Sequence, residues 1–281
     1  MEIHKPKPIH SWREFFVELA TIMLGVSLAL AAEQTVEWFH WRSQVKESRE
    51  FIATETAENL VTAITRIRTA QCIERRLDSL AQILDDAAGG SDALPPVGDI
   101  SQPARRLWRN GTWESVVASQ TATHFSRQEL ADLASLYKFV ERGEAYLQVE
   151  LEAWSDLSAM VGPGRHLDSA SEAQLRAALG RARTYNRSMT SISSIVMAQV
   201  RHLGLPFGSN DLRIIDAALR ESLTHGKATP TNPSPMFLIC QPIGAVAPHY
   251  GQAPMGTVPG FMEGNVKQLD DFAASVRSEQ P

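Results

Sequence analysis

The residues best suited to catalysis or metal binding in this chain are eight histidines, two cysteines and a few groups of carboxylates. His4, His10, His40, His124, His166, His202, His225 and His249 are scattered. No two stand four apart on a predicted helix, the spacing that lets two imidazoles share a metal, and no His-Glu-x-x-His run occurs. A Gly-x-Ser-x-Gly elbow, a phosphate-cradling Gly-Lys-Ser/Thr loop and a dinucleotide fingerprint are equally missing. Glu141, Glu144, Glu150 and Glu152 cluster, as do Asp85-Asp86 and Asp270-Asp271. Paired acids do general acid–base work only in a desolvated cleft; on amphipathic helices they are expected to keep the outer face wet. Cys72 and Cys240 stand in no metal-like or redox-like spacing. In an oxidising compartment they would close a long loop; the alternative is two separate buried thiols. We therefore expect no catalytic residue, no cofactor and no metal site.

The densest unusual element is 108–119 (WRNGTWESVVAS), with Trp108 and Trp113 beside a predicted helix break. Large aromatics at a break usually lock helices together. The competing expectation is the rim of a ligand pocket in the bundle core, shared by Trp108, Trp113 and Trp154.

What must position these residues begins with a membrane segment. Residues 15–32 (FFVELATIMLGVSLALAA) carry no charge after Glu18, and at helical rise they span roughly 27 Å, close to a bilayer's hydrocarbon core. Ser11 with Glu14 forms a capping box that starts the helix. Trp12 and Phe15 lie at one edge of the apolar run, Trp38 and Trp41 at the other. Trp12 to Trp38 spans roughly 39 Å, the headgroup-to-headgroup distance at which indoles settle. Glu18 sits a turn inside the apolar edge, within reach of the headgroups. Thr21, Gly25 and Ala29 form a small-residue stripe through which two such helices can pack. The alternatives are a cleavable signal peptide, with Ala29-Leu30-Ala31 as its small-residue site, and a buried core helix. Basic residues flank both ends, so orientation rests on the shortness of the preceding tail.

After the span the chain has the composition of a folding protein, 43% apolar and 21% charged. Its net charge of −5 argues against broad nucleic-acid binding. Residues 33–88 hold no Gly or Pro, and Ile52, Leu60, Ile64, Ile67, Ile73, Leu77, Leu80 and Leu84 mark one buried helix face. The anchor and this stretch are expected either to form one rod of more than 70 residues or to break near Trp41. Ser126 with Glu129, and Ser169 with Glu172, are capping boxes opening two further long helices. A short helix is predicted at about 104–118 with an interruption near Asn110-Gly111, and another at 210–223. The expected fold is all-α: a transmembrane helix continuing into a long helix, an antiparallel bundle, a Pro/Gly-rich extended arm and a short final helix. Seven of the fifteen prolines fall in that arm. The corresponding divisions are a tail (1–10), the anchor (11–41), the bundle (42–226), and the arm with its terminal helix (227–281).

The start WREFFVELATIMLGVSLALAAEQTVEW, and GTWESVVAS leading to Leu136-Tyr137, resemble a group of uncharacterised bacterial single-pass membrane proteins. Gln120 stands where those proteins often carry Gly. The resemblance implies an inner-membrane anchor with a helical body, and carries no known activity. The expected function is that of an envelope protein with a body on the periplasmic side, acting by binding as a scaffold or sensor-like accessory. Its expected partners are the lipid bilayer and either another protein or a second copy, through anchor and stalk. The alternatives are a small-ligand receptor or enzyme with a site in the bundle core, and a secreted helical protein after signal-peptide cleavage.

Overall fold

The computed structural model describes residues 12–90, 93–224, 235–240, 243 and 267–274. The tail, the Ser11 cap and most of the Pro-rich arm lie outside the described residues.

The first helix, α1 (Trp12–Gly90), runs unbroken for 79 residues, so the rod forms without a break at Trp41. No Gly or Pro interrupts it between Val26 and Ala88. Its two halves have opposite surroundings. Trp41 is the first residue to meet the body and Val45 the first buried hydrophobic one, so about 29 residues, roughly 44 Å of helix, project beyond the body. From Ile52 onward every apolar residue of the anticipated face is buried.

The short α2 (Gly111–Ala118) is followed by a 3₁₀ turn, Thr121–His124. Gln120 enters that turn at φ 62°, the left-handed region that favours glycine. Residues 104–110, expected to be helical, are irregular. Pro103 and the Asn110-Gly111 pair bracket that stretch. α3 (Arg127–Leu157) opens as anticipated, the Ser126 hydroxyl accepting from the Glu129 N–H at 3.2 Å. α4 (Ser169–Leu203) starts one residue earlier than its capping box implied. Asp168, not Ser169, is the cap, accepting from the Ser171 N–H at 2.7 Å. Gly204, at φ 56°, ends it. α5 (Ser209–Thr224) follows.

Ion pairs between the long helices and one hydrogen bond give the directions. Arg176–Asp85 and Arg183–Asp78 set α4 antiparallel to α1, and Arg181–Asp156 with Gln199–Ser135 set it antiparallel to α3. Arg49–Glu129 and Arg66–Glu150 make α1 and α3 parallel. The chain achieves this by running residues 93–126 back from the far end of the bundle to the end where α1 emerges. α4 packs closely on both partners, whereas α1 and α3 meet through long side chains. At the far end Ala93–Leu94 pairs antiparallel with Arg165–His166, and Val97 bridges Gly162, closing the two connections on each other.

The C-terminal part is fastened twice. Residues 267–274 form α6, whose Leu269, Phe272 and Ala273 are buried in the bundle core, so the bundle itself is the partner of that apolar face. Pro235–Cys240, expected as extended chain, is a 3₁₀ helix that buries Ile239. Arg76 of α1 donates to the carbonyls of Ile100 (2.6 Å) and Ile239 (3.4 Å). Burial lowers its pKa to about 10, against the opposing pull of Asp99, so it stays charged at neutral pH.

Cys72 and Cys240 form a disulfide across 168 residues of sequence. Closing so long a loop removes much of the unfolded chain's freedom, worth about 2–5 kcal/mol. We expect a reductant to lower the melting temperature of the native protein and to leave Cys72→Ser unmoved, since that variant starts with the loop open. Equal melting of the native protein with and without reductant contradicts the assignment.

Candidate functional site

Two features distinguish the end of the bundle where α1 emerges. One is the bare helix. Trp12, Phe15, Glu18, Gly25, Ala29 and Trp38 all lie on its exposed part. The helix is long and apolar enough to cross a membrane, and none of its most apolar eighteen-residue window is buried. Within it Thr21 and Thr35 return their hydroxyl protons to the carbonyls of Val17 and Ala31, at 2.8 and 2.7 Å. Such bonds satisfy the hydroxyls without water. Thr21, Gly25 and Ala29 of the small-residue stripe are exposed, and among the described residues a Cβ added at Gly25 meets no atom within 4 Å. Trp41 behaves differently from Trp38. It is partly buried and stacks on His124 from the α2–α3 turn, ring centroids 3.9 Å apart at 17°.

The other feature is the tryptophan-bearing segment before α2, which α1 and α3 hold through backbone contacts. Asn59 donates to the Arg109 carbonyl (2.7 Å) and accepts its N–H (2.8 Å), much as a neighbouring strand would. Glu55 accepts from the N–H groups of Thr112 (2.7 Å) and Trp113 (3.4 Å). A carboxylate on α1 thereby caps the first turn of α2, whose own Asn110 makes no side-chain cap. Glu55 also accepts from the Tyr137 hydroxyl at 2.7 Å, and Tyr137 stacks on Trp113 at 5.2 Å. Burial, reinforced by the Glu55 charge, pushes the tyrosine pKa far up and keeps it a neutral donor. Trp108 lies flat against Gly143, where a Cβ would come within 2.8 Å of the indole.

Deeper in the bundle lies an ionic pair. Arg66 donates both terminal nitrogens to Glu150, each at 2.6 Å, and one of them also to Asn186 at 2.8 Å. Asn186 in turn donates to Glu74 (2.9 Å) and to the Ala70 carbonyl (3.2 Å). Glu150 and Asn186 are completely buried, which corrects the expectation that Glu150 keeps an outer face wet. Its position three after Leu147 and four before Trp154 places it on the α3 seam.

The three tryptophans do not surround one pocket. Trp108 and Trp113 belong to the core cluster near the emerging helix, and Trp154 to the cluster at the far end. An open groove of about 490 Å³ lies elsewhere, between α1, α5 and the irregular segment, lined by Glu58, Val61, Leu107, Arg109, Ile214 and their neighbours. Arg109 is paired there with Glu58 at 2.7 Å. Among the described residues, no three His, Cys, Asp or Glu side chains gather as a metal-holding group. No family model matches the chain, and no curated protein or solved structure does either.

Three variants test the packing. Glu150→Ala leaves a buried guanidinium unpaired and should cost about 3–5 kcal/mol in urea unfolding, while joint replacement by Arg66→Met and Glu150→Leu should recover most of it. A double variant as weak as the single would mean that the apolar pair cannot fill the gap. Gly143→Ala should lose about 1–3 kcal/mol and shift tryptophan emission, because the Trp108 ring has to move.

Proposed function

We propose that the protein is held by residues 15–32 in a bacterial inner membrane, with its helical body on the periplasmic side, and that it acts by binding another component rather than by catalysis. The observation that carries this reading is the wholly uncovered apolar helix. A core helix would be mostly buried by its own chain, and this one is not. The unbroken continuation of the same helix into the bundle favours a retained anchor over a removed leader. The disulfide suits an oxidising compartment. The buried ionisable groups Glu55, Arg66 and Glu150 are engaged with each other, with neighbouring side chains or with backbone, as in a rigid scaffold or sensor-like accessory. A phosphatase reporter joined to the C-terminus should be active and a cytoplasm-only reporter silent; the opposite pattern overturns the topology.

The groove favours a second reading, capture of a small ligand with an anionic head and a short apolar body. Arg106 and Arg109 supply positive charge beside Glu58, which pairs with Arg109, while Val61, Leu107 and Ile214 supply the apolar wall. On this reading short-chain alkyl phosphates or carboxylates raise the melting temperature of the native protein and not of Arg109→Glu. Indifference to the whole series removes it.

A further inference from the structure

We propose that the turn joining α2 to α3, residues 117–125, rests in the lipid headgroup layer beside the emerging helix and gives the body a second contact with the bilayer. This inference rests on the membrane reading of α1 and adds to it. The stacking of His124 on Trp41 places the turn level with the last aromatic residue of the apolar half of α1. Trp38, exposed to solvent, lies about 4.5 Å nearer the span. If Trp38 sits among headgroups, where an amphipathic indole is most stable, the turn has no room to stand clear of them.

The composition of the turn suits that position. Between Glu114 and Glu129 the sequence holds no carboxylate, while His124 and Arg127 can face phosphate. Arg42 and Lys46 are exposed on the adjoining stretch of α1. The carboxylates near them are mostly engaged: Glu37 accepts from the Trp41 indole, Glu50 pairs with Lys46, and Glu129 is held by Arg49. Glu47 remains as an exposed acid. Val117 is half exposed, and Ala118, Ser119, Gln120 and Thr123 are exposed with it. The polar groups of the turn are largely satisfied from within. The N–H groups of Gln120, Thr123 and Phe125 bond to carbonyls within the turn, and that of Ser119 to the Ser115 carbonyl of α2. The Thr123 hydroxyl bonds the Gln120 carbonyl at 2.8 Å, and the hydroxyls of Ser119 and Thr121 bond each other at 3.0 Å. A turn that needs little water for its backbone enters a partly dehydrated layer at low cost.

The test uses the full chain in vesicles of phosphatidylethanolamine and phosphatidylglycerol. A fluorophore is attached in turn at Leu24→Cys, Val117→Cys, Thr123→Cys and Val161→Cys; the native cysteines, held as a disulfide, stay unlabelled. Val161 lies just past the other end of α3, about 45 Å from the turn. All four positions are exposed, so labelling spares the core. Lipids carrying a nitroxide on the headgroup should diminish emission from positions 117 and 123 but not 161, and a nitroxide deep in the acyl chain should diminish position 24. Loss at 24 with 117 and 123 behaving like 161 overturns the docking and leaves the anchor standing. No loss at 24 overturns the anchor and the docking with it.

Discussion

An apolar helical surface roughly 27 Å long that the described residues leave bare is costly to hold in water. Ten large apolar side chains between Phe15 and Leu30 are exposed. At about 1.5–3 kcal/mol for each one removed from water, covering them is worth about 15–30 kcal/mol. That exceeds the 5–15 kcal/mol by which a folded domain typically outweighs its unfolded chain. A bilayer matches the length, the aromatic edges and the internally bonded Thr21 of residues 15–32, which is why we propose one as their cover. Because α1 is one helix from Trp12 to Gly90, the partner of its first half fixes where the body stands.

The body is organised so that this helix can be its spine. α4 packs on α1 and on α3, and the wider space between α1 and α3 is bridged by long polar pairs: Arg49 with Glu129, Glu55 with Tyr137, Arg66 with Glu150. A desolvated pair adds little net stability over an apolar equivalent, yet it strongly penalises any register in which one partner is left alone. We take the buried carboxylates of Glu55 and Glu150 to select the parallel alignment of α1 and α3, which no short connection could impose. The far end is closed by different means, a short ladder, Arg76 on two carbonyls, and the disulfide that ties the C-terminal segment to α1.

Much of this was legible in the residues. The apolar positions of α1 from Ile52 to Leu84 and the Ser126 cap fall where the spacing put them. The polar core is legible only from position, because residue type alone places charged side chains on the outer face. Ile52, Asn59, Arg66, Ile73 and Leu80 are seven apart, and Asn186 falls in the alternating three-and-four series from Leu175 to Val200. Reading the period first would have marked Asn59, Arg66, Glu150 and Asn186 as buried. Other features leave no local trace. The Glu55 cap of α2 joins residues 57 apart in sequence, and the pairing of two cysteines 168 apart depends on where α1 and the C-terminal segment meet. The parallel course of α3 depends on a long irregular connection whose path no periodicity describes.

The measurement closest to the central claim is the distribution of untagged, full-length protein after cells are broken without detergent, the membranes washed in alkaline carbonate and the suspension ultracentrifuged. The account predicts that the protein stays in the pellet and enters the supernatant only when detergent dissolves the bilayer. Recovery of the intact chain in the carbonate supernatant would contradict it.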